Sequence, residues 1–141
     1  MSPRKAIEWI SHRGYCGEGE LENTVGSFNQ AVRHGFRHLE TDLRISKDKK
    51  IVLVHDAHLA RLGGPAVSTS QLTSQELSKL RLRGGKQLLF FEEFAERYQD
   101  CSWTLDIKPE DGFETLLILA RFIKSSQMKE HFFTKTRFLF W

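Results

Sequence analysis

No stretch of this 141-residue chain approaches the roughly 18 to 20 consecutive apolar residues of a membrane span, so no transmembrane helix is expected. Met1-Ser2-Pro3-Arg4-Lys5 leads into no signal-peptide core. Cysteine is scarce as well. Cys16 and Cys101 form neither a CxxC motif nor a framework, which argues against a disulfide scaffold and for a reduced, cytoplasmic setting. Low-complexity tracts, linkers and internal repeats are missing, so residues 1–141 are expected to make one domain. The formal charge of +3 is too small to argue for nucleic acid, although it suits a phosphate-bearing ligand. What is present is ordinary for a globular protein. Hydrophobic residues make up 40% and charged residues 28%, which excludes a disordered chain.

Short apolar runs of strand character alternate with helical patterns. Ile7 to His12 reads as a strand closed by Arg13-Gly14. Asn23 or Thr24 can cap a helix whose apolar stripe is Val25, Phe28, Ala31 and Val32, with Gly35 placed to end it. Phe36 to Ile45 forms a second strand. Its alternation puts Glu40 and Asp42 on one face. Ile51 to Val54 reads as a buried strand that delivers His55-Asp56 at its end. Residues 57–89 are loop-like apart from a short helix beginning at Ser74. Phe91 to Tyr98 is helical, Trp103 to Lys108 a strand, Phe113 to Ser125 helical, and Arg137 to Trp141 the start of another strand.

Strands alternating with helices predict an α/β fold with a parallel sheet and helices packed outside it. A closed (β/α) barrel of the TIM type needs about 250 residues, so roughly its first half is expected here. In such barrels the C-terminal strand ends converge on one mouth. His12 and Arg13, Glu40 and Asp42, His55 and Asp56, and Asp106 and Lys108 all fall at predicted strand ends, and are therefore expected at one rim.

His12-Arg13-Gly14, Glu22-Asn23-Thr24, Glu40-Thr41-Asp42-Leu43, His55-Asp56 and Asp106-Ile107-Lys108-Pro109 occur in that order. Together they closely resemble the signature of glycerophosphodiester phosphodiesterases. Arg61 and the run from Leu89 to Glu93 also resemble familiar positions of that family. The resemblance implies metal-dependent hydrolysis of a glycerophosphodiester to sn-glycerol 3-phosphate and an alcohol. It implies one divalent cation, Mg²⁺ or Ca²⁺, held by Glu40 and Asp42, with Asp106 where many relatives carry a glutamate ligand. It implies His12 and His55 as proton-transfer residues, and Arg13 and Lys108 as holders of the substrate phosphate.

The residues also leave alternatives open. Asp106 can pair with Lys108, and Arg13 can bridge Glu22 or Asp56. Glu22 can reach the metal cluster or brace Arg13. Asn23 is expected mainly as a helix cap, and Asp56 as a residue that orients His55 or a loop amide. The chain stops at the apolar Phe138-Leu139-Phe140-Trp141. A truncated remnant without turnover, or a half-barrel closing itself with a second copy along its open edge, is therefore a second expectation. Lysophospholipase D or phospholipase C-like chemistry on the same fold is a third.

Overall fold

Eight consecutive residues, His38–Ile45, form the strand about which the molecule is organised, and all eight are buried. This follows from period-two alternation between two buried surfaces. Leu39, Leu43 and Ile45 face the helices and join the main core, while His38, Glu40, Asp42 and Arg44 share the opposite face. The computed structural model describes residues 6–140. Met1 to Lys5 and Trp141, on which the leader reading and the last residue of the final strand depended, lie outside the described residues.

The elements are β1 (Ile10–His12), α1 (Val25–Arg33), β2 (His38–Ile45), β3 (Ile51–Leu53), α2 (Ser74–Lys79), α3 (Phe91–Arg97), β4 (Ser102–Ile107), α4 (Gly112–Ser125), α5 (Lys129–Thr134) and β5 (Thr136–Phe140). β1, β2, β4 and β5 form a parallel sheet in that order. β3 lies off that path and departs from the all-parallel expectation: it pairs antiparallel with β2, Ile51 opposite Ile45 and Leu53 opposite Leu43. The cause is local. Five residues, Ser46 to Lys50, are too few for a crossover and suffice only for a hairpin. Lys49 takes the left-handed conformation the turn needs, and the Ser46 hydroxyl accepts from the Lys50 amide.

Three further differences have plain causes. β1 is only three residues long, because Ile7 and Trp9 are exposed. The 57–89 segment contains three short 3-10 helices besides α2, packed by Leu59, Leu62, Leu77 and Leu82 into a small core of their own. α5 was not anticipated; its Phe132 is buried against Trp103 and Phe91.

Trp103, Leu105 and Ile107 of β4 turn towards the helices and pack with Phe28, Phe91 and Phe94. The Trp103 indole donates to the Tyr98 carbonyl at 3.0 Å, so its polar atom is satisfied where its ring is buried. Truncating Trp103 to alanine is expected to cost about 3–5 kcal/mol. Since the apolar side chains of β2 and β4 face outwards, the intervening polar ones face inwards. The two outer strands have unpaired outer edges among the described residues, where Trp9, Ile10, Leu139 and Phe140 are exposed.

Candidate metal and active site

Strand register assembles the site. His12 stands beside Glu40, and Asp42 beside Asp106. Neighbours on one rung share a face, so these four side chains project from three strands into one space. Carboxylate oxygens of Glu40, Asp42 and Asp106 lie within 4.8 Å of one another, and all three residues are buried. Three hard oxygen donors at that separation fit a cation such as Mg²⁺ or Ca²⁺.

The electrostatics agree. Burial, followed by the neighbouring charges of Asp42 and Asp106, pushes the Glu40 carboxyl up to about 7. Burial also opposes ionisation of Asp42, yet hydrogen bonds from Lys108 and Asn23 hold it below the usual carboxylate range. The Lys108 ammonium donates to Asp42 and to Asp106, each at 2.8 Å. Despite its burial, those bonds hold the Lys108 ammonium above its ordinary value. Glu40 is thus the carboxylate of the cluster whose charge is least compensated.

Arg13 and Gly14 form the turn that closes β1. Arg13 has φ 60° and Gly14 φ 87°. A Cβ on Gly14 would collide with Ser27 of α1, so only glycine fits there. The Arg13 carbonyl accepts from the Asn23 amide and the Ser27 hydroxyl, which ties the turn to the start of α1. Its guanidinium donates to Glu22 at 3.1 Å, and Nε lies 3.2 Å from Asp42. Glu22 thus braces Arg13. Thr24, not Asn23, caps α1, in a capping box with Ser27. Asn23 instead donates to Asp42 at 3.0 Å and accepts from the Thr41 hydroxyl at 2.8 Å. It is buried with φ 56°, a conformation asparagine tolerates better than most residues.

His55 reaches the same mouth by a route other than the expected one. It does not end a parallel strand; the hairpin carries it back beside β2, where the Val54 amide donates to the Asp42 carbonyl. Arg44 of β2 then donates twice to the His55 carbonyl, at 2.9 and 2.8 Å. The Nδ1 of the His55 ring is hydrogen-bonded to Asp56 at 2.6 Å. Hydrogen bonds from Arg61, and then from His55, lower the Asp56 carboxyl to about 2, so it is the acceptor in that pair. His12 is exposed, with Nε2 3.8 Å from Glu40.

A cavity of about 470 Å³ is lined by His12, Arg13, Glu40, His55, Asp106 and Lys108, all anticipated, and also by Arg44, Glu110 and Leu139. Asp42, Glu22, Asn23 and Asp56 stand behind that wall. Arg44 was missed, although its position two residues after Asp42 on one strand places it on the same face. A second cavity of about 410 Å³, bordered by Phe90, Phe91, Ile118 and Phe122 together with Lys49, Lys50 and Glu92, is lined by a single carboxylate and no histidine.

The comparisons agree with this geometry. Residues 12–135 match the Glycerophosphoryl diester phosphodiesterase family. A probable glycerophosphodiester phosphodiesterase 2 of Mycobacterium tuberculosis is 30% identical over 105 residues, 74% of this chain and 40% of the relative. Lysophospholipase D GDPD1 of Rattus norvegicus is 48% identical over 68 residues, 48% of this chain and 21% of the relative. The crystal structure of glycerophosphodiester phosphodiesterase from Agrobacterium tumefaciens superposes with TM-score 0.80 at 20% identity, covering 95% of this chain and 58% of that one. The corresponding Thermotoga maritima structure gives 0.73 at 28%, covering 94% and 61%. The chain thus spans less than two-thirds of these relatives, and its parallel strands and outer helices are part of their TIM-type barrel. No helix among the described residues is long and apolar enough to cross a membrane. By its matched residues and its fold, this chain belongs to the glycerophosphoryl diester phosphodiesterase family.

Proposed function

We propose that the site hydrolyses glycerophosphodiesters to sn-glycerol 3-phosphate and an alcohol. The observation that supports this most directly is a cluster of three buried carboxylates beside a mouth lined by two imidazoles and three cations. Glu40, Asp42 and Asp106 would hold one Mg²⁺ or Ca²⁺. Bound there, such a cation withdraws electron density from the phosphoryl oxygens and activates a hydroxyl nucleophile.

The remaining roles belong to the chain. With Nδ1 donating to Asp56, His55 exchanges protons through Nε2. One histidine takes the proton of the attacking hydroxyl, and the other protonates the departing alkoxide as its bond to phosphorus breaks. Two of the three N–H groups of Lys108 are engaged by aspartates, and the third remains for a phosphate oxygen. Arg13, aimed into the same cavity, adds positive charge beside the non-bridging oxygens. A small, water-soluble diester and a cytoplasmic location belong to the same reading.

The test is release of glycerol 3-phosphate from glycerophosphocholine in Mg²⁺ or Ca²⁺. A chelator should abolish release, and His12→Ala should lower it about 10²- to 10⁴-fold. Folded protein with added cation and no release would overturn the reading. The likeness to lysophospholipase D GDPD1 supports a second substrate, a lysophospholipid, and the same assay run on both substrates separates the two. The exposed apolar residues on the β1 and β5 edges support self-association without turnover as the other outcome, visible as a doubled mass by light scattering.

A further inference from the structure

Arg61 lies outside the mouth, yet it holds two of the residues that shape it. It sits in the first 3-10 helix after β3, at Ala60–Leu62, and is half exposed. Its Nε donates to Asp56 at 2.7 Å, and its two terminal nitrogens donate to the two oxygens of Glu22 at 2.7 and 2.9 Å. Asp56 in turn accepts from the His55 ring, and Glu22 from Arg13. The Arg61 carbonyl is pinned by Arg83 at 2.8 Å, so its backbone cannot drift freely.

We propose that Arg61 is a positioning residue that fixes the proton-transfer group His55 relative to the anion-binding group Arg13, acting through Asp56 and Glu22. This rests on the hydrolase reading for its effect on rate, although not for its effect on the His55 ring. A planar, forked guanidinium serves both carboxylates at once, which a single ammonium cannot do. Two loops far apart in sequence, the β1–α1 turn and the β3 exit, are thereby locked in mutual register. Small misplacements of reacting groups are costly, so loss of this brace should appear chiefly in turnover.

The experiment compares the wild-type chain with Arg61→Gln, Arg61→Lys and Asp56→Asn, with Arg97→Gln as control because its exposed pair with Glu93 lies outside the site. The first readout is the ¹⁵N spectrum of the histidine rings at about pH 8, where imidazole is neutral. Wild-type His55 should show the Nδ1-protonated tautomer, and Arg61→Gln a mixture of tautomers. The second readout is kinetic. Arg61→Gln should lower kcat on the order of tenfold to a hundredfold. Adding Asp56→Asn should cost little more, since both changes break one chain of contacts. Arg61→Lys should restore only part of kcat.

An unchanged His55 tautomer in Arg61→Gln would overturn the proposal, as would full recovery of kcat by Arg61→Lys. If the wild type releases no product, the hydrolase reading fails, and the ring spectrum alone decides the role of Arg61. Should Arg61→Gln not fold, the spectrum of Arg61→Lys decides in its place.

Discussion

Asp42 and Asp106 stand directly opposite each other on neighbouring parallel strands, and the Lys108 ammonium joins them at 2.8 Å on either side. Like charges on facing positions repel, so this pair exists only because a cation lies between its oxygens. Lys108 is itself buried. Replacing it with methionine removes the ammonium that the two carboxylates share and should destabilise the cation-free protein by about 3–5 kcal/mol. Urea unfolding measures this. Addition of Mg²⁺ or Ca²⁺ should recover a larger share of stability in Lys108→Met than in the wild type.

Glu40 provides a pH dependence of unusual sign. Burial and the neighbouring carboxylates push its carboxyl up to about 7 in the folded chain, from an ordinary value of 4.5. Between those two pH values the native state holds a proton that the unfolded state has released, so stability falls as pH rises. Once the pH has risen through about 7 and a further unit the loss is complete, and it amounts to roughly 3 kcal/mol. Glu40→Gln should flatten this slope and make the cation-free protein more stable at pH 8. Unfolding midpoints between pH 4 and pH 8, in chelator, decide it. Equal slopes in both proteins would refute the assignment.

Cation binding should reverse that cost. A ligand that binds only the native state stabilises it by about 2.7 kcal/mol at a hundredfold excess over Kd. The melting temperature should therefore climb with Mg²⁺ or Ca²⁺ in the wild type and stay flat in Asp42→Asn, whose amide cannot replace a charged ligand. The contrast should be larger at pH 8 than at pH 6, where protons compete for Glu40. Differential scanning calorimetry across a cation titration gives the result.

Much of this arrangement could be read from residue order, because it rests on short-range periodicity. Two-residue spacing on β2 puts Glu40 and Asp42 on one face, and the same spacing from Trp103 to Lys108 does so for Asp106 and Lys108. What could not be read depends on pairing. Nothing in Ile51 to Val54 says whether it runs parallel or antiparallel, and the direction follows from the length of the preceding turn. Arg44 and Arg61 were legible as residues but not as contacts. Their partners, the His55 carbonyl and Glu22, lie 11 and 39 positions away. The roles of Asn23 and Thr24 could not be divided either, since both residue types cap helices and only the packing against Asp42 separates them.

Asn23 supplies the sharpest test of that division. If it acted as the helix cap, Asn23→Gly would cost only a few tenths of a kcal/mol, since glycine is tolerated at caps and is relaxed at φ 56°. As the structure stands, glycine relieves the backbone but strips Asp42 and Thr41 of a buried partner each. The expected net loss is about 1–3 kcal/mol. Asn23→Asp should be worse, because it sets a carboxylate against Asp42 in a buried site where like charges are poorly screened. It should also change the response to cation: the extra negative charge raises the stabilisation gained from Mg²⁺ or Ca²⁺ even as the cation-free protein weakens. Thr24→Ala, by contrast, removes the actual cap, costs about 1 kcal/mol and leaves the cation response as it was. Urea unfolding of the three variants, with and without cation, distinguishes a loop residue that supports the metal ligands from one that only starts a helix.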